Sequence, residues 1–152
     1  MILTIFTGSF SPDAELFLIG VRTHTGEYKF WTDMENFLDY FLKTDDKIVV
    51  GFNLLKFDIP FLLLKAKDSG KFRDFFRKVN YSNIVDLFTV LTFQNKGVIK
   101  GLDFYLEREG IGRNFLSDTE IGRRLQKGEK AEGEVEKKLE AIHSLYWKMK
   151  EV

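Results

Sequence analysis

Carboxylates are the side chains of this 152-residue sequence that are best able to do chemistry. The sequence has no cysteine and only two histidines, which excludes disulfides, thiolate sites and multi-histidine metal sites. Hydroxyl nucleophiles are not supported either, because no general base is recognisable from the sequence. Carboxylate oxygens suit hard cations such as Mg²⁺. Any chemistry of this sequence therefore rests on carboxylates, hydroxyls, amines or the backbone, and Asp58 and Asp86 each stand directly before a predicted helix.

The charge balance argues against a broad positive surface. Lys and Arg number 23, and Asp and Glu also number 23, so tight nonspecific binding to duplex DNA is not expected. Residues 65–78 form a local exception, with six basic residues against two acidic ones and three phenylalanines among them. Basic groups beside aromatic rings are typical of single-strand binding. An amphipathic helix with its rings in the core explains the same pattern and is the favoured interpretation.

The elements that must position these residues follow an α/β pattern. Three β-type segments predict an antiparallel meander over 2–7, 15–22 and 27–31, with a turn cluster at 8–13. A continuous apolar run predicts a buried, parallel strand over 47–52, and a further short strand is predicted over 83–86. Helical periodicity follows the meander and dominates the second half of the chain, ending in a helix over 134–150. The pattern predicts one mixed α/β domain over residues 1–152.

Several polar residues are predicted to start helices. Thr32 and Glu35 have the spacing of a capping box. Asp58 precedes a proline in the first turn of an apolar helix, so an N-cap role is favoured over a metal-ligand role. Asp86 is interpreted in the same way, as the N-cap of a helix over 87–93. Ser117 is predicted to start a short helix that ends at Lys127, and residues 53–57 are predicted to form a loop.

No segment of the sequence predicts targeting or membrane insertion. The apolar residues 1–6 are too few for a signal-peptide core and follow no basic region. The longest apolar run, 59–64, is too short to span a bilayer. A cytoplasmic protein without a membrane partner is therefore expected.

One local motif is more specific than these patterns. Residues 50–62 read Val-Gly-Phe-Asn-Leu-Leu-Lys-Phe-Asp-Ile-Pro-Phe-Leu. This segment resembles the second exonuclease motif of DEDD-type 3′–5′ exonucleases, nearest the exonuclease domain of family-B DNA polymerases and its stand-alone prokaryotic relatives. In that family a buried strand leads into G-[YF]-N, a short loop, F-D-[LIV]-P and an apolar helix.

The segments around the motif resemble the family in the same order. Residues 12–21 resemble the second strand, 82–87 the strand that ends in Asp-Leu, and 100–113 the later helix with its L-G-I-G-[RK] ending. The resemblance covers most of the chain. It implies a ribonuclease H-like fold, with a mixed sheet in which the three-strand antiparallel meander is joined by parallel strands and flanked by helices.

The resemblance also implies which residues would hold two divalent cations. The family uses an Asp and a Glu from D-x-E on the first strand, the Asp of the second motif and an Asp of the C-terminal helix. Asp58 matches the second-motif Asp. The D-x-E positions fall on Phe6 and Gly8, and the last Asp falls on Lys138 or Ala141, depending on the register of the helix. One ligand of four is therefore retained.

We therefore expect a catalytically inactive, exonuclease-like domain without a metal cofactor, which binds single-stranded DNA or RNA, or a replication or repair protein. The candidate nucleic-acid contacts lie after the second-motif strand and in the basic segment, namely Asn53, Lys56, Phe57, Lys71, Arg73, Arg77 and Lys78. Two alternatives stay open. One is an active metal-dependent 3′–5′ exonuclease, in which Mg²⁺ or Mn²⁺ is held by Asp58, Asp86 and Glu134 or Glu140. The other is a structural subunit that uses the cleft as a protein interface. The oligomeric state is left open.

Overall fold

A single mixed sheet organises the chain. The computed structural model describes residues 2–9, 15–45 and 48–151, and the strand order in it is β3-β2-β1-β4-β5. Strands β1 (Ile2–Ser9), β2 (Phe17–Arg22) and β3 (Tyr28–Trp31) form an antiparallel meander. Strands β4 (Ile48–Gly51) and β5 (Asn83–Asp86) continue the sheet in parallel from β1. The predicted meander and parallel strands are confirmed, while much of the predicted 8–13 turn, together with Asp46 and Lys47, lies outside the described residues.

Helices cover both faces of the sheet. Helices α1 (Met34–Lys43), α2 (Ile59–Ala66) and α3 (Phe72–Tyr81) pack on one face, against Leu3 and Ile5 of β1. Helices α4 (Leu87–Gln94), α5 (Leu102–Arg108) and α7 (Glu132–Lys150) pack on the other, and α6 (Asp118–Gln126) lies with α7 against Phe6. Alternate side chains of β1 therefore enter different cores, as a central strand requires.

Helix starts agree with the sequence at two positions and differ at two. Ser117 caps α6 and Asp86 caps α4 through side-chain oxygens that accept backbone N–H bonds, as predicted. The cap of α1 is Asp33, which accepts from the Asn36 N–H at 2.9 Å, and the prediction of Thr32 was therefore wrong by one residue. The predicted loop over 53–57 is instead a π-helical turn, Leu54–Asp58, which runs directly into α2.

The basic segment forms an amphipathic helix, as favoured from the sequence. Phe75 of α3 is buried against Phe41 of α1, while Arg73 and Arg77 face solvent. Phe76 departs from the prediction, because it is 48% exposed. No helix in the described part of the chain has the length and apolar character needed to cross a membrane.

Candidate functional site

A cleft lies where β1 and β4 end and the chain turns into α2 and α6. It consists of two adjoining cavities with volumes of about 230 Å³ and 330 Å³, which share Phe52, Asn53 and Asp118 in their walls. The first cavity is bounded by the end of β1 and by Asp58. The second is bounded by the start of α5, the segment before α6, and Lys138 of α7. Side chains from five elements therefore meet at this edge of the sheet.

Asp58 is buried in the wall of the first cavity and is bonded to β1. Its Oδ1 accepts a hydrogen bond from the Thr7 backbone N–H at 2.8 Å and another from the Thr7 hydroxyl at 2.6 Å. The predicted N-cap role is wrong, because the π-helical turn extends the helix backwards and leaves Asp58 inside it, in helical conformation and without a capping bond. Burial raises the pKa of Asp58 to about 7, although the bonds from Thr7 and the nearby Lys138 charge act in the opposite direction.

Lys138 extends from α7 to the ring of Phe6. Its Nζ lies 4.1 Å from the centre of the Phe6 ring and pairs with the carboxylate of Asp118. Lys138 is only 6% exposed, and this burial lowers its pKa to about 8, while Asp58 acts to raise it. Of the two residues on which the resemblance could place the last acid, Lys138 lines the cleft, and Ala141 lines a separate cavity beside Tyr28.

The space beside Gly8, where a side chain would lie, is filled by Ile121 of helix α6. A Cβ atom at Gly8 would lie 3.0 Å from Cγ2 of Ile121 and 3.4 Å from the Phe6 ring. A contact of 3.0 Å between carbon atoms is well inside the optimal separation. A glutamate at this position would therefore require the Ile121 side chain, or the helix that carries it, to shift by a few tenths of an ångström.

These residues do not fit a two-metal centre. The positions that the resemblance assigns to three of its four ligands hold a phenyl ring, a glycine under an isoleucine and, depending on the register of α7, the ammonium group of Lys138 or the methyl group of Ala141. Hard divalent cations need oxygen ligands, and the Lys138 ammonium repels them. Within residues 2–9, 15–45 and 48–151, no three carboxylate or histidine side chains are grouped as a metal site would require.

The other predicted acids are engaged elsewhere. Asp86 binds the backbone N–H groups of Asn53 and Leu55, at 2.8 Å and 3.0 Å, in addition to capping α4. Glu134 accepts a bond from the Leu116 N–H at 2.8 Å. Glu140 forms an ion pair with Arg22 and accepts a bond from Tyr28. None of the three lines either cavity of the cleft, so the atypical ligand set is not assembled in the described structure.

The predicted nucleic-acid contacts fall into two groups. Asn53 and Phe57 line the cleft, and the nearby Lys56 Nζ lies 5.0 Å from the centre of the Phe88 ring. Asn53 has the positive φ of 66° that a turn asparagine tolerates. The four basic residues at the start of α3 and within it, Lys71, Arg73, Arg77 and Lys78, line neither cavity of the cleft.

Two of the four basic residues are engaged by α1. Lys71 pairs with Glu35 and Asp39. Lys78 donates to the carbonyl oxygens of Phe41 and Thr44. The remaining two, Arg73 and Arg77, are exposed on α3.

Sequence reasoning missed three charged residues of the cleft. Asp103 and Arg113 line the second cavity and form an ion pair at 2.8 Å, and Asp118 lies between the two cavities. Asp118 directly follows the predicted cap of α6, and Arg113 ends the L-G-I-G-[RK] resemblance. Those two signals mark helix boundaries, and neither indicates that the segments face the cleft.

The comparisons with known proteins give a structural match only. No protein-family model and no curated protein sequence matches the chain. Among solved structures, the family B DNA polymerase from the hyperthermophilic archaeon Pyrobaculum calidifontis is similar, with a TM-score of 0.66 and 17% sequence identity. The match covers 95% of this chain and 24% of that chain. The chain thus spans about a quarter of the polymerase, and at this identity the match shows a common fold alone.

Proposed function

We propose that the chain is a ribonuclease H-like domain of the exonuclease type that has lost metal-dependent cleavage and binds the end of a single nucleic-acid strand in its cleft. The fold shared with part of a family B DNA polymerase and the motif over 50–62 support the first half of this proposal. The observation that carries the second half is the Lys138 ammonium, which is held over the Phe6 ring. The resemblance requires an acid at Phe6 and, in one of the two registers of α7, at Lys138.

A fixed ammonium group can replace metal ions in binding a phosphate but not in activating water. Lys138 is held by α7 and by the Phe6 ring. Its partner Asp118 has a side chain that is 70% exposed, so Asp118 can turn into solvent when a strand phosphate takes its place. The walls also carry partly exposed rings, Phe52 and Phe57, on which bases can stack.

This proposal predicts binding that does not depend on divalent cations. The assay is fluorescence anisotropy with labelled single strands of about four nucleotides, in EDTA and in Mg²⁺ or Mn²⁺. Lys138→Met removes the charge but keeps the length of the side chain, and replacing a buried ion by an apolar residue is often tolerated by the fold. We expect binding to be weaker by about 10- to 100-fold, since a charge-assisted hydrogen bond contributes about 1.5 to 3 kcal/mol.

The matched control is Lys137→Met, one residue away on α7. Lys137 is an exposed lysine with a weak pairing to Glu134 at 3.5 Å and lies outside the cleft. Binding should be unchanged in this variant. Equal loss of binding in both variants contradicts a specific role of Lys138.

The same strands, incubated with Mn²⁺, test for activity. We expect no shortening from the 3′ end. Shortening that requires the metal and disappears in Asp58→Ala would overturn the proposal in favour of an active exonuclease. Absence of strand binding together with a stable complex with another protein would favour the structural-subunit alternative.

A further inference from the structure

Exposed apolar side chains are concentrated around the segment that joins α4 to α5. Phe93 is 88% exposed and Ile99 is 66% exposed, and the neighbouring Val90, Val98 and Phe104 are exposed by at least 40%. Clustered exposed apolar side chains mark interaction sites more often than isolated ones do. We call this surface the α4–α5 surface and define it by Lys56, Phe88, Val90, Phe93, Lys96, Val98, Ile99, Lys100 and Phe104.

The charges around the α4–α5 surface are mostly positive. Residues 87–104 include two lysines and one acidic residue, Asp103, which forms an ion pair with Arg113. Lys100 Nζ lies 5.2 Å from the centre of the Phe104 ring, and Lys56 Nζ lies 5.0 Å from that of Phe88. Rings and ammonium groups are therefore paired within the same surface. On the α3 side, by contrast, Lys71 is paired with Glu35 and Asp39, and Lys78 donates to backbone carbonyl oxygens of α1 and its C-cap.

A turn of defined geometry presents this surface. The Asn95 side chain donates to the Val98 carbonyl at 3.1 Å, and Gly97 has a φ of 83°. Lys96 also adopts a positive φ, 57°, which is unfavourable for a residue with a long side chain. All residues from 96 to 101 are exposed. The segment after α4 therefore presents Lys96, Val98 and Ile99 to solvent and does not bury them in the core.

Aromatic contacts connect this surface to the cleft. Phe52 lines both cavities, and its ring centre lies 5.6 Å from that of Phe88. The contacts of Phe52 with Tyr105, at 6.4 Å, and of Tyr105 with Phe104, at 5.2 Å, run through the core, because Tyr105 is fully buried. Gly101, which follows Lys100, also lines the second cavity. A ligand that extends out of the cleft past Phe52 therefore meets Phe88 and Lys56 of the α4–α5 surface first.

We infer that the α4–α5 surface is the path along which a single-stranded nucleic acid runs after leaving the cleft. This inference rests on the proposed function and adds the part of the strand beyond the bound end. A single strand offers both phosphates for the lysines and base faces for the rings. An apolar protein partner would bury the lysines without counter-charges, at a considerable cost in free energy.

Strand length separates the two sites in the experiment. Anisotropy is measured with single strands of about four nucleotides, which the cleft accommodates, and of about 16 nucleotides, which extend beyond it. Phe93→Ala combined with Phe104→Ala removes two stacking surfaces. We expect binding of the long strand to be weaker by at least about 30-fold, since each stacked base contributes about 1 kcal/mol or more, and no change for the short strand.

The ring control is Tyr81→Ala, since Tyr81 is 85% exposed at the far end of α3. For the charges, the double variant Lys96→Gln and Lys100→Gln should have a weaker salt dependence. The slope of log K against log salt for the long strand should become less negative by about 1.4. Lys43→Gln with Lys127→Gln, two exposed lysines elsewhere, should leave the slope unchanged. All substituted side chains are exposed, and circular dichroism confirms that each variant is folded.

The outcomes separate this inference from the proposed function. If the α4–α5 variants bind the long strand as tightly as wild type while Lys138→Met weakens the short strand, the inference is overturned and the proposed function stands. If the α4–α5 variants weaken long-strand binding and Lys138→Met has no effect on the short strand, the inference stands and the cleft proposal fails. Loss of self-association in the ring variant, with unchanged strand binding, would identify a protein interface and also overturn the inference.

Discussion

Substituting Asp58 by asparagine should stabilise the protein at alkaline pH. The structure holds this carboxyl group in a buried position, where both hydrogen bonds that it accepts come from Thr7 and end on Oδ1. The carbonyl oxygen of an asparagine can accept both bonds. Asp58→Asn therefore removes a charge and keeps the hydrogen bonds.

The magnitude follows from the pKa of Asp58. Burial raises this pKa from 3.8 to about 7, which corresponds to about 4 kcal/mol. Because the folded pKa is above the unfolded one, the contribution of the protonated group to stability is fully present below 3.8. It is lost as the pH rises to about 7, and above that pH the folded protein carries the whole cost of a buried carboxylate. The favourable interaction of the ionised Asp58 with Lys138 already opposes part of the burial effect.

The assay is urea unfolding of wild type and Asp58→Asn between about pH 4 and about pH 8. We expect the free energies of unfolding to be nearly equal at the acidic end and the variant to be more stable by about 2 to 4 kcal/mol at the alkaline end. A variant that is less stable than wild type near pH 8, or a difference that does not depend on pH, would refute the reasoning. Wild-type stabilisation by Mg²⁺ that is absent from Asp58→Asn would show instead that Asp58 is a metal ligand.

Three further predictions concern the support of the cleft and its surroundings. Gly8→Ala should lower the free energy of unfolding by about 1 kcal/mol through the close contact with Ile121, and a double-mutant cycle with Ile121→Ala should show a favourable coupling in urea unfolding. Asp86→Ala should cost about 3 kcal/mol, because it leaves three backbone N–H groups without their acceptor, and Asp86→Asn should cost less in the same measurement. His143 Nε2 accepts a hydrogen bond from the indole N–H of Trp147 at 3.0 Å, and burial lowers the pKa of His143. Protonation of Nε2 removes this bond, so the Trp147 fluorescence should change as the pH falls below about 6.5. The change should be absent in His143→Phe.

Local patterns predicted much of the fold because they depend on neighbours in sequence. The apolar run of β4 and the helical spacing of α7 correspond to strands and helices that the structure contains. The caps at Asp86 and Ser117 were also predictable, since each cap accepts a bond from a residue two or three positions later. These interactions are complete within a few residues.

The interior of the cleft could not be predicted in this way, because its contacts join distant segments. The Asp58 carboxylate binds Thr7, 51 residues earlier, and this bond decides against an N-cap role. The π-helical turn depends on Asp86, which holds the backbone of Asn53 and Leu55 from more than 30 residues away. The resemblance identified Phe6 and Gly8 as positions where the family has acids. It did not decide whether the last acid of the family aligns with Lys138 or with Ala141 of α7.

The contact between Ile121 and Gly8 has a consequence for the order in which mutations can accumulate. A change of Gly8 to an acidic residue meets Ile121 before it can contribute a ligand, and a new carboxylate beside Lys138 forms an ion pair before it can attract a metal ion. Each single step towards a metal site therefore carries a penalty or no benefit, and only a combination that also changes Ile121 and Lys138 removes both obstacles. Under the proposed function, a return to metal-dependent cleavage would therefore require several substitutions together, at Gly8, Ile121 and Lys138.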